Sequence, residues 1–178
     1  MQLTKQKQSE SAKALASFGY KNALAAPRLV KVIVSSGIGT KMKKDREAAT
    51  FIGERLARIT GQKPSLRAAK QSVASFKIRQ GDPVGLSVTL RGARMLGFID
   101  KLIHIALPRT KDFRGINTSA VDAMGNMSIG IKEHTIFPET ADEDLRDVFG
   151  LSVTLVSTAK TKAEALAFFT HLGIPFKK

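Results

Sequence analysis

Residues 85–108, which read GLSVTLRGARMLGFIDKLIHIALP, decide the fold of this chain. The first six residues alternate, so that the large apolar side chains face one way and Ser87 and Thr89 face the other. This alternation is typical of a strand with one covered face and one open face. From residue 93 to 107 the apolar residues recur at helical spacing, which predicts an amphipathic helix that Pro108 stops.

The other segments extend this pattern into a complete fold. Further strands are predicted at residues 29–34, 127–131 and 150–157. Further helices are predicted at residues 6–18, 44–60 and 162–172. The stretch 35–40, SSGIGT, is predicted as a turn. Capping boxes at Thr140 and Thr161 mark the start of a short acidic helix and of the last helix.

Polar alternation in the strands predicts an α+β fold, in which helices pack on one face of a mainly antiparallel sheet and the other face is open and polar. The chain shows no linker, so residues 1–178 are expected to form a single domain. It has no cysteine, which excludes disulfides and thiol chemistry. It also has neither a long apolar run nor a signal peptide, which favours a cytoplasmic protein without a membrane segment.

The net charge of +14 is distributed unevenly along the chain. Residues 1–94 carry 19 Lys/Arg against 5 Asp/Glu, whereas residues 95–178 carry 10 against 10. Such an excess of one sign favours a polyanionic partner, and nucleic acid is the first candidate. A solvated basic surface and an acidic phospholipid surface are the alternatives, although residues 2–18 are too rich in Ala and Ser for a membrane-binding helix.

The basic stretch 61–94 supplies the candidate contacts with RNA. In FKIRQG, basic residues alternate with apolar ones, and Phe76 either stacks on a base or packs in the core. Small Ser87 and Thr89 beside Arg91 allow a sugar-phosphate backbone to approach the sheet. The second copy of GLSVTL, at residues 150–155, follows an acidic stretch and is predicted to be scaffold.

The rival interpretation is a nucleotide- or RNA-processing enzyme that uses the Gly37-Ile38-Gly39 turn as a phosphate cradle. The pattern lacks the third glycine and the Walker lysine of known phosphate-binding loops. The three histidines have no ligand-like spacing, and the acidic run at 142–144 suits the start of a helix. We therefore predict no catalytic residue, no metal site and no cofactor.

Several motifs occur in one order along nearly the whole chain: GQKP, SVASFKIRQG, VTLRG, ALPRTKDFRG and GIKEHTIFPE. With them the chain resembles the family of bacterial large-subunit ribosomal protein five. The resemblance implies a structural protein that binds 5S rRNA and helps attach it in the central protuberance. It also implies contacts with large-subunit rRNA, other central-protuberance proteins, P-site tRNA and, across an intersubunit bridge, a small-subunit head protein.

Residues and resemblance together define two predicted sites. The residues expected to bind 5S rRNA are Arg28, Ser35, Ser36, Gln62, Lys63, Lys70, Ser87, Thr89 and Arg91. The residues expected in a loop that faces P-site tRNA are Ser75, Phe76, Lys77, Ile78, Arg79 and Gln80.

The chain departs from the family's pattern in two places. Ser35 and Ser36 stand where Asn and Met are common, and serine reaches less far than asparagine. Near Val121, Met124 and Met127 the family often has an aromatic residue, a Gly-Arg pair and a tyrosine. The resemblance therefore does not imply an RNA contact made by an arginine or a tyrosine of that loop.

Overall fold

A computed structural model describes residues 4–6, 10–11, 18, 20, 22–42, 47–141 and 148–177. Its strands, numbered along the chain, are β1 (Leu29–Gly37), β2 (Ser65–Ala68), β3 (Pro83–Leu90), β4 (Met127–Ile131) and β5 (Leu151–Ser157). They form one five-stranded antiparallel sheet in the order β2-β3-β1-β5-β4. With the helices this confirms the predicted α+β fold.

The α-helices of the described ranges lie between and after these strands along the chain. They are α1 (Gly39–Met42), α2 (Ala48–Thr60), α3 (Gly92–Lys101), α4 (Leu107–Arg109) and α5 (Lys162–Leu172). None of the described helices is both long enough and apolar enough to cross a bilayer. Most of the predicted helix at 6–18 lies outside the described residues, as does the acidic helix expected after Thr140.

Helix α2 shows how local spacing produces its element. Its buried apolar residues stand three or four positions apart and form one stripe: Ala48, Ile52, Leu56 and Ile59. Burying each Ile or Leu side chain contributes about 1.5–3 kcal/mol. Gly61 ends the helix in the left-handed conformation, with φ 67°, and its N–H donates to the Ala57 carbonyl. The predicted helix and its glycine stop are confirmed over the described residues.

The helix after β3 does not stop at Pro108, so that prediction was wrong. A π-helical segment, Leu102–Ala106, joins α3 to α4, and α4 contains the proline. The Leu107 N–H donates to the Leu102 carbonyl, five residues back. A π turn shifts the hydrogen-bond register, and this shift accommodates a residue without an N–H inside a helix.

The first strand also differs from its prediction, because β1 runs on through Gly37 and absorbs half of the expected turn. The start of α5 forms one hydrogen bond of its predicted capping box, and its second bond lies one residue earlier than predicted. Thr161 Oγ1 accepts a hydrogen bond from the Glu164 N–H at 3.3 Å, and the Glu164 carboxylate accepts one from the Lys160 N–H at 3.0 Å.

Two compact units divide the chain. Unit 1 comprises Met1–Ile33, Leu90–Ile129 and Val153–Lys178, and unit 2 comprises Val34–Thr89 and Gly130–Ser152. The core of unit 1 includes Phe168 and Phe169 of α5, and the core of unit 2 includes Phe137 and the apolar stripe of α2. Within unit 1 the C-terminal tail pairs with a loop, since the Ile116 N–H donates to the Pro175 carbonyl and the Lys177 N–H to the Ile116 carbonyl, both at 2.8 Å.

Candidate nucleic-acid interface

Unit 2 presents an open sheet face that is built by strict alternation. In β3, Leu86, Val88 and Leu90 are buried, whereas Ser87 and Thr89 between them are half-buried and face the other side. The predicted orientation of this strand is therefore confirmed. In β1 the same alternation places Ser35 on the open face and its neighbours on the covered face.

Four adjacent strands each contribute a serine to this face. Ser65 of β2 is the register partner of Ser87, and its hydroxyl donates to the Ser87 carbonyl at 3.3 Å. On the other side, the hydroxyl oxygens of Ser35 and Ser152 lie 2.9 Å apart. We call Ser35, Ser65, Ser87, Thr89 and Ser152 the hydroxyl face. Their short side chains leave the backbone of the sheet approachable.

Two members of the hydroxyl face were not among the predicted residues. Ser65 was not singled out, and Ser152 was assigned to scaffold because acidic residues precede it. The structure places Ser152 of the second GLSVTL copy beside Ser35, on the same face, within unit 2. The alternation in that copy was the available signal, and the charge of its sequence neighbours obscured it.

Ser36 lies apart from the other predicted residues. It is only 4% exposed, it faces the covered side of β1, and its hydroxyl donates to the Gly150 carbonyl at 2.7 Å. A side chain in that position links β1 to the residue that precedes β5. We therefore correct the prediction by leaving the Ser36 hydroxyl out of the interface.

The turn after α2 forms a hydrogen bond with Thr89, a member of the hydroxyl face. The Gln62 side-chain amide donates to the Thr89 carbonyl at 3.4 Å, and the Thr60 hydroxyl donates to the Gln62 carbonyl at 3.1 Å. Gln62 and Thr89, separated by 27 positions, are thereby brought together. Lys63, next in the turn, is exposed.

Exposed cations border the hydroxyl face. From residue 55 to 81 the chain has seven basic residues and no acidic one. Lys63, Lys70 and Arg67 are exposed, and Arg67 of β2 is the register partner of Gly85. Arg67 was not predicted as a contact. Arg67 follows Ser65 by two residues in β2 and Lys63 precedes it by two, so both add positive charge near the Ser65 hydroxyl.

Two predicted arginines belong to unit 1. Arg28 is exposed, and its backbone is fixed because its N–H donates to the Thr158 hydroxyl at 3.0 Å. Arg91 is exposed in the extended residue that precedes α3. In the same unit, Met124 is 73% exposed, whereas Val121 and Met127 are buried.

The predicted loop is exposed almost throughout. Ser75, Lys77, Arg79 and Gln80 are on the surface, Ile78 is half-buried, and Phe76 is 66% exposed. Of the two roles considered for Phe76, packing in the core is therefore excluded.

The Gly37-Ile38-Gly39 turn is not a phosphate cradle. Ile38 is fully buried, its N–H donates to the Val84 carbonyl at 3.0 Å, and its carbonyl accepts from the Met42 N–H at 2.9 Å. Neither glycine has a positive φ. Among the described residues no group of three metal-ligating side chains occurs.

Comparison with known proteins supplies the family. The family model described as "Ribosomal protein L5" matches residues 22–79, and a second model, which describes the C-terminus of the same ribosomal family, matches residues 83–176. The chain belongs to the ribosomal protein L5 family. It is a structural, non-enzymatic protein of the large ribosomal subunit and acts in the cytoplasm as part of that particle.

Relatives in the L5 family match the chain almost end to end. "Large ribosomal subunit protein uL5" of Kosmotoga olearia is 47% identical over 161 residues, which cover 90% of this chain and 87% of that protein. The protein of the same name from Natranaerobius thermophilus is 46% identical over 158 residues, with 89% and 88% covered. The one from Halothermothrix orenii is 43% identical over 166 residues, with 93% and 92% covered.

Proposed function

We propose that this L5 protein binds 5S rRNA and helps attach it to the large subunit in the central protuberance. The hydroxyl face bordered by exposed cations is the observation that carries the proposal. Arg28 and Arg91 of unit 1 are included as phosphate contacts. The resemblance to the L5 family supports the identity of the RNA, and the geometry supports the surface.

The binding mechanism follows from the chemistry of this surface. Lys and Arg side chains neutralise phosphates and release counterions, so affinity falls steeply as salt rises. Serine and threonine hydroxyls both donate and accept hydrogen bonds, which suits the 2′-hydroxyls along the shallow minor groove of an RNA helix. Gln62, fastened to β3, fixes the register of the RNA on the sheet.

The second part of the proposal concerns the loop at residues 75–80, which contacts P-site tRNA. Its exposed aromatic tip and its two cations, Lys77 and Arg79, suit stacking and phosphate contact with an irregular RNA surface. Contacts with a small-subunit head protein across an intersubunit bridge, and with other central-protuberance proteins, rest on the family resemblance alone.

The experiment that tests the main proposal is a salt-titrated binding assay of the full chain with 5S rRNA and with a scrambled RNA of equal length. We expect both affinities to fall with salt, and the 5S complex to remain tighter at every salt concentration. Equal affinities for the two RNAs would contradict specific binding and leave only a basic surface.

Removing one predicted phosphate contact should produce a measurable loss. We expect Arg91→Ala to weaken 5S rRNA binding by roughly five- to tenfold at moderate salt and to reduce the salt slope by about one. Arg114→Ala removes another exposed arginine, from the charge-balanced half, and serves as the matched control. If both variants lose the same affinity, net charge alone determines binding and the assigned surface is wrong.

Removing the two loop cations should affect tRNA binding and 5S rRNA binding differently. We expect the double change Lys77→Ala and Arg79→Ala to leave 5S rRNA affinity within about twofold and to weaken P-site tRNA binding by about tenfold in ribosomes that carry the variant. Filter binding with deacylated tRNA measures the second effect. A large loss of 5S rRNA affinity would move the loop into the 5S interface.

A further inference from the structure

The loop between β2 and β3 is closed by its own backbone. At the base, the Ala69 N–H donates to the Asp82 carbonyl at 2.8 Å, and the Gly81 N–H donates to the Ala69 carbonyl at 3.0 Å. In the middle, Val73 and Ile78 exchange two backbone hydrogen bonds, of 2.9 and 3.2 Å. A 14-residue segment, 69–82, is thus folded into a small hairpin with internal pairing at two levels.

Two side chains accept hydrogen bonds from backbone N–H groups in the second half of this hairpin. Asp82 Oδ2 accepts a hydrogen bond from the Arg79 N–H at 2.8 Å, and Ser72 Oγ accepts one from the Gln80 N–H at 2.9 Å. In a mobile loop, these two backbone N–H groups would donate to water instead. Asp82 is also the one acidic residue in the basic stretch 61–94. A carboxylate beside an RNA-binding loop opposes phosphate binding, so its presence requires a separate reason.

The tip of the hairpin holds a lysine in a left-handed backbone conformation. Lys77 has φ 52°, directly after the turn Ala74–Phe76, and its N–H donates to the Ala74 carbonyl at 3.0 Å. Glycine adopts this conformation without steric cost, whereas lysine does so with strain. Backbone strain of this kind clusters at functional sites, which makes the exposed Lys77 side chain a candidate contact.

From these observations we propose that Asp82 and Ser72 are positioning residues, which hold the 69–82 hairpin in its binding shape before RNA arrives. The ammonium group of Lys77, presented at the strained tip, binds an RNA phosphate. This inference rests on the proposed role of the loop as an RNA contact. A preformed hairpin avoids the ordering entropy that a flexible loop loses on binding.

The shape of the free hairpin is measured independently of any RNA. Amide hydrogen exchange in the full chain should show slow exchange at Arg79 and Gln80. Asp82→Ala should accelerate exchange of the Arg79 amide by roughly tenfold, and Ser72→Ala should do the same for Gln80. Asp82→Asn, which keeps an acceptor oxygen, should restore most of the protection. Fast exchange of both amides in the unaltered chain would overturn the positioning role.

The sign of the Asp82 effect on RNA binding discriminates between two causes. Removing a carboxylate from a basic surface strengthens phosphate binding if electrostatics alone matter. A positioning role predicts the opposite: a fall in P-site tRNA affinity of roughly five- to tenfold for Asp82→Ala, and near-normal affinity for Asp82→Asn. Tighter tRNA binding by Asp82→Ala would contradict the positioning role.

The lysine is tested by a change that favours the backbone while removing the side chain. Lys77→Gly should preserve or increase the protection of the Arg79 amide and still weaken tRNA binding by about fivefold. Unchanged tRNA affinity would refute the ammonium contact. If the amides are protected while none of these variants alters tRNA binding, the hairpin is preformed but the proposed tRNA contact fails, so the two failures are distinguishable.

Discussion

Ser87→Glu should lower the affinity for 5S rRNA by about a hundredfold, the largest binding defect expected of a single change in this chain. Ser87 is central to the hydroxyl face, with Ser65 opposite it in the register and buried Leu86 and Val88 on either side. Glutamate there directs a charge at the phosphates and fills space that an RNA backbone needs. The measurement is the 5S rRNA titration at fixed salt.

Two matched variants identify the cause of that defect. Ser119→Glu makes the same chemical change at an exposed serine of the charge-balanced half, and it should stay within about twofold of the unaltered affinity. Ser87→Ala keeps the face small and removes one hydroxyl, for an expected loss of about threefold. A tolerated Ser87→Glu, with folding verified by circular dichroism, would exclude the hydroxyl face as the RNA surface.

Gly125→Ala should lower the free energy of unfolding by about 2–4 kcal/mol. Gly125 has φ +80°, and a Cβ there would lie 2.7 Å from the Ala159 carbonyl oxygen. The Gly125 carbonyl also accepts a hydrogen bond from the buried Ser157 hydroxyl at 2.6 Å, so the backbone has little freedom to move away. Beside it, hydrogen bonds from Asn126 lower the pKa of Asp122 and keep the turn tight.

The control for this prediction is Gly130→Ala in β4. Gly130 has no positive φ, and a Cβ at that position would meet no atom within 4 Å. Alanine there should leave the stability unchanged or raise it by about 0.5 kcal/mol through the unfolded state. Chemical denaturation of both variants measures the difference. Similar losses for both would show that the 125 turn is not constrained as described.

Features that depend on spacing within one element were predictable. The stripe of α2 and the alternation of β3 arise from periods of 3.6 and 2, which a sequence displays directly. The same alternation, continued through Ser35 and Ser36, would have separated these two serines onto opposite faces. The strand was predicted to end too early, so this signal was not used.

Features that depend on distant pairing were not predictable. Ser152 meets Ser35 and Gln62 meets Thr89 because of strand order and register, which a single sequence does not display. The passage of the helix through Pro108 was missed for a related reason. A proline usually ends a helix, and here the π turn that precedes it removes the conflict.

The pairing of the C-terminal tail with Ile116 has a consequence for the order of events during synthesis. The core of unit 1 includes Phe168 and Phe169, and its tail residues Pro175 and Lys177 form the 2.8 Å hydrogen bonds with Ile116. All of these residues except Ile116 are translated after every segment of unit 2. The last residue that unit 2 needs is Ser152, so this unit receives all of its segments earlier. Completion of unit 1 must therefore wait for the residues that follow, which leaves unit 2 as the part that is able to fold first while translation continues.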